Sequence, residues 1–487
     1  MKTLLTQVAA PFFIAFVFGQ PAVAGEANTS VKLAGLHGDP ALISRELHGV
    51  WMSDGYGWAL EIRDDGVRML DVEQSGCIDA KDTLEEYETY FHSYELDASR
   101  NRLGLRGLFE GYTYYFARAD ALPPQCEVDL VSTPRSNFEF LRDVMTSHYA
   151  FFKVRGVNWQ EIVEQAETQI RDDMSDDELW KVLQSMIAPI DDGHVSFSRV
   201  VDGRRVSFMP GRGRTQNSII PLALERGDSP GRLFGQWFEE YKASILTDIL
   251  GGNGKIIARD RVIYGMVDDE IGYLNVLKMG GYVEALGFTL EDFTTETDAL
   301  NAALDEAFLN MESAKAIIVD MTYIGGGFDY LGREIAARFA RKPVLGSHRG
   351  PAGIASIEPQ PLYTYPTERV SFDGPVAVIS SNLTMSASES FVMHMKAMPH
   401  VVHMGEPTRG ALSEVLSKTL PNGWSVSISN EDYLDGELKS WEGIGVQPDI
   451  PMQVFDPMNI FNGHVAAIGQ VADHLREQIK PTERPVS

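Results

Sequence analysis

The spacing of apolar positions changes twice along the chain. Between His48 and Cys126 apolar and polar residues alternate in short runs: Trp58-Ala-Leu-Glu-Ile, Gly66-Val-Arg-Met-Leu, Leu103-Gly-Leu-Arg-Gly-Leu and the aromatic stretch Tyr112 to Phe116. Turn formers such as Asp64-Asp65-Gly66 separate them, so residues 46–130 predict a small antiparallel β domain. At Ser136 the period lengthens. Ser136-Asn-Phe-Glu139 reads as a capping box, and Phe138, Leu141, Met145 and His148 fall on one helical face. A second helix runs through Trp159. A third opens with the capping box Ser175-Asp-Asp-Glu178, carries Leu179, Leu183 and Met186, and stops before Pro189. Residues 131–200 therefore predict a helical subdomain.

Residues 201–270 are less regular. Arg204 to Arg214 is basic, carries two glycines and reads as a loop. Leu233, Phe234, Trp237, Tyr241 and Ile245 predict an amphipathic helix ended by Gly251-Gly252, and Asn253-Gly254 reads as a hairpin turn. The string from Gly251 to Lys255 lacks the spacing and the Ser/Thr of a phosphate loop. From Ile271 the pattern is α/β, over a core placed at 271–456. Its strands are Ile271 to Val276, Ala316 to Asp320 (followed by Gly325-Gly326-Gly327) and Val376 to Ile379, the last ended by Ser380, Ser381 and Asn382. Helices are predicted over Thr297–Asn310, Gly332–Ala340 and the apolar stretch through Met395. Val401-Val402, the loop Gly405–Gly410, hairpin strands around Asn422-Gly423 and the stretch Trp441–Ile450 follow. The tail, 457–487, holds a helix from about Gly463. The class is α+β and α/β, multidomain.

Composition adds an address. Lys2, the apolar run Val8 to Phe18 and the small residues Ala22-Val23-Ala24 form a secretory signal pattern over residues 1–24, with an apolar run too short to span a membrane. Residues 25–45 read as a linker. The mature chain is expected to be exported, periplasmic or secreted, with no integral membrane segment. Cys77 and Cys126 are expected to pair in an oxidising compartment. A net charge of −27 argues against nucleic acid or an anionic membrane as partner, because nothing basic would neutralise phosphates. Two cysteines without a nearby histidine cluster argue against a zinc site. Nothing in the composition speaks to oligomeric state.

The chemistry concentrates in Thr384-Met-Ser386-Ala-Ser-Glu389, where a strand hands over to a helix N-terminus. Backbone N–H groups are unpaired there and the local potential is positive. A serine so placed is either a nucleophile whose oxyanion those groups hold or a helix cap. Gly325–Gly327 is either a tight turn or a place where backbone N–H groups approach a reacting carbonyl. His194, in Asp191-Asp192-Gly193-His194-Val195-Ser196, lies at the edge of an element, where an imidazole can act as a base. His394, His400 and His403 lack metal-ligand spacing with an acid. No Gly-x-Ser-x-Gly or Ser-x-x-Lys motif supports another hydrolase class.

Taken in order, these blocks resemble the S41 serine peptidases, which include the tail-specific proteases, the tricorn core protease and the interphotoreceptor retinoid-binding protein repeats. The family's Asp-Leu-Arg-x-Asn-x-Gly-Gly is matched by Asp320 to Gly327, and its Ser-x-Ser-Ala-Ser/Ala-Glu by Thr384 to Glu389. Gly405–Gly410, Pro421-Asn-Gly423 and Glu442–Asp449 match its later blocks. The tail-specific branch uses a lysine where this chain has Ala411, and no PDZ-like segment separates helices and core. The tricorn-like branch takes its base from an Asp-Gly-His type motif, similar to Asp192-Gly193-His194. The resemblance implies a ClpP/crotonase-like ββα core and a peptidase with no metal or organic cofactor. It implies Ser386 as nucleophile, His194 as general base, Glu442 as acidic partner, and the N–H groups of Gly326 and Ala387 as oxyanion hole. Tricorn links its glutamate to the imidazole through a further serine that has no identified counterpart here. Arg409 is either a substrate contact or a solvated loop cation. Asp320 and Glu389 read as structural. The alternatives are an S41-like binding protein for peptides or apolar ligands, and an esterase using the same triad.

Overall fold

A computed structural model describes residues 31–32, 45–80, 91–107, 111–284, 290–354 and 356–480. The segment read as a signal peptide and nearly all of the linker lie outside the described residues. Among the described residues no helix is long and apolar enough to cross a membrane.

The alternating N-terminal runs form an eight-stranded antiparallel sheet. Its spatial order is Val31–Lys32, Phe91–Leu96, Arg102–Gly107, Thr113–Ala119, Gly49–Ser53, Trp58–Arg63, Gly66–Glu73 and Gly76–Asp79. A Cys77–Cys126 disulfide joins its last strand to the short turn Pro124–Cys126. The sheet buries one face under three helices, Pro134–His148, Trp159–Glu167 and Asp176–Ile187. Trp51, Trp58 and Phe116 of the sheet, Phe138 and Leu141 of the first helix and Leu183 and Met186 of the third belong to one core, as do Val426 and Ile428 from far along the chain. The β and helical units read separately from the sequence therefore share an interior. Each is amphipathic and needs the other to cover its apolar face.

The second half is a three-layer unit around a seven-stranded sheet. Its order is Lys255–Ile257, Val262–Met266, Ile271–Val276, Ala316–Ile324, Val376–Thr384, Val401–Gly405 and Ile450–Pro451. The first three pair antiparallel with one another; from Ile271–Val276 onward pairing is parallel. The central strands are buried on both faces, as parallel strands between helices must be. Helices Leu290–Asn310, Asp329–Ala337 and Ala387–Lys396 cover one face. Helices Pro230–Ser244 and His464–Ile479 cover the other.

Four local readings change. The strand expected to end at Ile379 continues to Thr384. Its hydroxyls look like turn chemistry but are buried and satisfied: Ser380 donates to Glu406 O at 2.7 Å, Ser381 to Thr322 O at 2.6 Å and Thr384 to Met321 O at 2.6 Å. Arg204–Phe208 is a strand, paired with Ser196–Val201 across a turn whose Asp202 and Gly203 both have positive φ. Asn253-Gly254 precedes the hairpin; its loop is Ala258 to Arg261, with Ala258, Arg259 and Asp260 at positive φ. The helix read from Ser136 begins at Pro134, because Thr133 is the cap and Ser136 its partner in the capping box.

A four-stranded sheet positions the site by joining the two halves. Its order is Arg204–Phe208, Ser196–Val201, Ser425–Ser429, Val415–Thr419. Ser196, which opens the strand just after His194, pairs with Ser427 of the core hairpin. A buried Lys418–Asp71 ion pair of 2.6 Å ties the same hairpin to the N-terminal sheet.

Candidate active site

Ser386 stands between the central strand and the helix Ala387–Lys396 with φ 63° and ψ −134°. A non-glycine residue in that region is strained and persists only where its surroundings hold it. Here they do. The Ser386 N–H donates to Ala411 O at 2.9 Å and to Glu389 Oε2 at 3.2 Å. Met385 N–H donates to Ile324 O at 3.1 Å. Glu389 is fully buried and also accepts from the N–H of Gly410 (2.7 Å), the N–H of Ala411 (2.9 Å) and the Thr408 hydroxyl (2.5 Å). Burial pushes its carboxyl pKa up, and these donors oppose the rise. Glu389 thus fastens the serine turn to the loop 408–411. Asp320 is likewise a buried acceptor, from Tyr273 at 2.5 Å and His464 at 2.8 Å.

The glycine turn after the strand Ala316–Ile324 abuts this serine. Gly326 has φ 83°, and a Cβ there would lie 2.6 Å from Ser386 Cβ and 3.1 Å from its Oγ. The backbone of Met279 holds the turn: its N–H donates to Gly326 O at 3.0 Å, and Phe328 N–H donates to its carbonyl at 2.8 Å. A Cβ on Gly327 would lie 1.9 Å from that carbonyl, so only glycine fits. Ala387 is the first residue of its helix, so its N–H has no partner within the helix. Gly326 and Ala387 are thereby backbone neighbours of the Ser386 hydroxyl.

The turn bearing His194 packs against the same place. A Cβ on Gly193 would lie 2.5 Å from Met385 Sδ and 3.4 Å from Ala411 Cβ. Asp192 shapes the turn by accepting the His194 N–H at 2.9 Å, and its other oxygen accepts the Tyr149 hydroxyl at 3.0 Å. His194 is 9% exposed, and its Nδ1 is buried without a partner. Burial pushes its pKa down; Asp192 opposes this, and Arg155 and Arg409 add to the fall. The structure contains no hydrogen bond between His194 and Ser386, and such contacts commonly tighten only when substrate is bound.

Glu442 reaches this region but not the imidazole. Its Oε2 accepts the N–H groups of Leu412 (2.8 Å) and Ser413 (3.2 Å), and its Oε1 accepts Arg155 Nη2 at 2.5 Å. Arg155 Nη2 also donates to Gly410 O at 2.6 Å, Nη1 donates to Asp191 O at 2.6 Å, and Asp192 Oδ2 is 3.5 Å away. Burial pushes Glu442 up to about 8; Asp192 adds to the rise and Arg155 opposes it. Arg409 is buried and donates to Asp191 Oδ1 at 2.7 Å, so it is no solvated cation. Nothing in the sequence marks Arg155 or Tyr149, and Asp192 is marked only as part of the Asp192-Gly193-His194 motif. Arg155 lies in an unpatterned link between two helices, and only the fold brings it to the site.

Two of the histidines that follow the serine block, His394 and His403, are buried in the core. His394 lies between the hydroxyls of Ser347 (3.0 Å) and Thr364 (2.8 Å), and His403 Nε2 is 2.7 Å from Ser380 Oγ. Burial depresses their pKa values to about 4 and about 3. His400 is half-buried, its pKa lowered by the same cause. Among the described residues no group of three or more His, Cys, Asp or Glu is placed to hold a metal ion.

Residues 270–452 match the sequence model of peptidase family S41. A crystal structure of a candidate peptidase from Parabacteroides merdae is similar at 25% identity and a TM-score of 0.54, covering 71% of this chain and 97% of that one. Mature CPAF aligns at 12% identity and a TM-score of 0.49, over 72% of this chain and 99% of that one. The tricorn protease aligns at 16% identity and a TM-score of 0.39, over 87% of this chain and 44% of that one.

Proposed function

We propose that the chain hydrolyses peptide bonds through an acyl-enzyme formed on Ser386, a reading supported by the match of residues 270–452 to the model of peptidase family S41. His194 takes the Ser386 hydroxyl proton as Oγ attacks the scissile carbonyl carbon. The resulting oxyanion is held by the N–H groups of Gly326 and Ala387, each worth roughly 10²–10³ in turnover. Collapse breaks the C–N bond, and His194 returns the proton to the leaving amine. Water then attacks the ester carbonyl and gives a proton to His194; the C–Oγ bond breaks, His194 returns that proton to Ser386 Oγ, and the carboxylic acid product leaves. Glu442 is the acidic member of the set. A base whose pKa lies below the ordinary imidazole value is uncharged, and so competent, near neutral pH. Ser–Lys chemistry has no lysine to use: the family position is Ala411, which is fully buried.

The observation that carries this reading is the strained Ser386 with Gly326 pressed against its hydroxyl. A pure binding protein needs neither the strain nor the approach. The partner is accordingly a peptide or protein, met after export by the signal-like segment. The unpartnered His194 Nδ1 favours a second reading, a catalytically weak protein that holds peptides.

The test is a defined peptide mixture incubated with the purified chain and with Ser386→Ala and His194→Ala, followed by mass spectrometry of new termini. Cleavage seen only with the wild type is the expected result. Turnover of aryl esters with no peptide cleavage would assign an esterase. Peptide retention without cleavage would assign the binding protein.

A further inference from the structure

Three acidic residues and two guanidiniums surround the His194 turn, and of the guanidiniums Arg155 is the one that reaches the core as well as the turn. Arg155 comes from the link between the first two helices. It reaches Glu442 and Gly410 of the core through Nη2, and the carbonyl of Asp191 in the histidine's own turn through Nη1. Its side chain is 4% exposed, so these contacts are made away from water. Glu442, by contrast, makes no hydrogen bond with His194. Its second oxygen is committed to two backbone N–H groups.

We infer that Arg155 is a positioning residue of the active site: it bridges Glu442 and Gly410 to the Asp191–His194 turn, and the Glu442 carboxylate acts on the base through it. The inference rests on the peptidase reading for its functional meaning, while the bridge itself is a matter of structure. Planar geometry explains the choice of residue. A guanidinium presents several donors in one fixed fork, whereas an ammonium is a point charge that cannot span acceptors on separate loops. The bridge joins Glu442 to the turn that carries His194. The electrical consequence is opposite to that of a carboxylate touching the ring. The charged groups around His194 are Asp192, Asp191 and Glu442 on one side and Arg155 and Arg409 on the other, with the Tyr149 hydroxyl on Asp192. Removing Arg155 takes away one of the two cations that lower the imidazole's pKa while Asp192 remains to raise it, so the imidazole becomes easier to protonate.

The experiment uses the full mature chain with isotope-labelled histidine, the His194 resonance being assigned with His194→Gln. Its titration is compared in wild type, Arg155→Met and Arg155→Lys, and the labelling rate of each by a fluorophosphonate probe is measured. Wild-type His194 should titrate below 6.5, and Arg155→Met should raise its pKa. Labelling of that variant should fall roughly 10²-fold, the usual consequence of a loosened catalytic geometry. Arg155→Lys should return the titration towards wild type while labelling stays about tenfold slow, because charge is restored and the fork is not. A folded Arg155→Met with wild-type titration and wild-type labelling overturns the inference. If Arg155→Met does not fold, Arg155→Lys decides, and labelling at the wild-type rate overturns it. A titration that shifts as described in a wild type that never labels would sustain the bridge and reject the peptidase reading.

Discussion

Ser386 and His194 are held in place by different means. Ser386 is fixed by its own neighbourhood: the strand it ends, the helix it starts, and Glu389 three residues on, which gathers the Ser386, Gly410 and Ala411 N–H groups. His194 sits on a turn fixed by residues from separate parts of the chain: Tyr149 through Asp192, Arg155 through Asp191, and Arg409 through Asp191. A backbone-built turn is rigid and local. A turn tied by side-chain charges depends on every loop it reaches, and its tuning depends on their net charge. The nucleophile should therefore be breakable by removing a hydrogen-bond acceptor or adding a methyl group, and the base by changing charge.

The largest effect expected is at Glu389. Truncation by Glu389→Ala strands the buried N–H groups of Gly410 and Ala411 and the Thr408 hydroxyl, each costing about 1–3 kcal/mol. Denaturant unfolding should show a loss of more than about 4 kcal/mol, with fluorophosphonate labelling abolished. Next comes Gly326→Ala, which places a methyl 2.6 Å from Ser386 Cβ at φ 83°. Labelling should drop about 10²–10³-fold, while stability measured alongside falls by only about 1–3 kcal/mol. A labelling loss no larger than the unfolding explains would remove Gly326 from the oxyanion hole.

Acid should act on the core before it acts on the serine turn. His394 and His403 are buried neutral with pKa values near 4 and near 3, against about 6.5 in the unfolded chain. Below 6.5 the unfolded chain takes up protons that the folded one refuses. Their stabilisation is therefore complete above 6.5 and lost as pH falls towards those values. For His394 alone this amounts to roughly 3 kcal/mol. Urea midpoints between pH 7 and 4 should fall, and fall less in His394→Gln. The smallest effect on chemistry is expected from Cys77→Ser with Cys126→Ser. Loss of a link closing a long loop lowers stability by about 2–5 kcal/mol, yet labelling at low temperature should stay within about twofold. A large loss would mean that the N-terminal sheet bears on His194 more directly than the Lys418–Asp71 tie suggests.

The same contrast explains what could be read in advance. The serine block is contiguous, so strand, turn and helix start all leave marks within fourteen residues, Val376 to Glu389. The helices announce themselves by period and by the Ser175–Glu178 capping box, which the structure contains. The end of the central strand was obscured because Ser380, Ser381 and Thr384 spend their hydroxyls on buried carbonyls, and a sequence cannot distinguish that from a turn. The shared interior of sheet and helices was illegible because it is completed by Val426 and Ile428, far along the chain. Arg155 escaped notice for the same reason. Its partners stand at 191, 410 and 442, and no spacing near 155 marks a residue that serves them.

The most direct test of the central claim is to treat the purified chain with a fluorophosphonate and map the adduct by mass spectrometry, beside His194→Gln. The account predicts one adduct, on the peptide that contains Ser386, and its loss in the variant. No adduct on a folded wild-type chain, or an adduct on another serine, would contradict it.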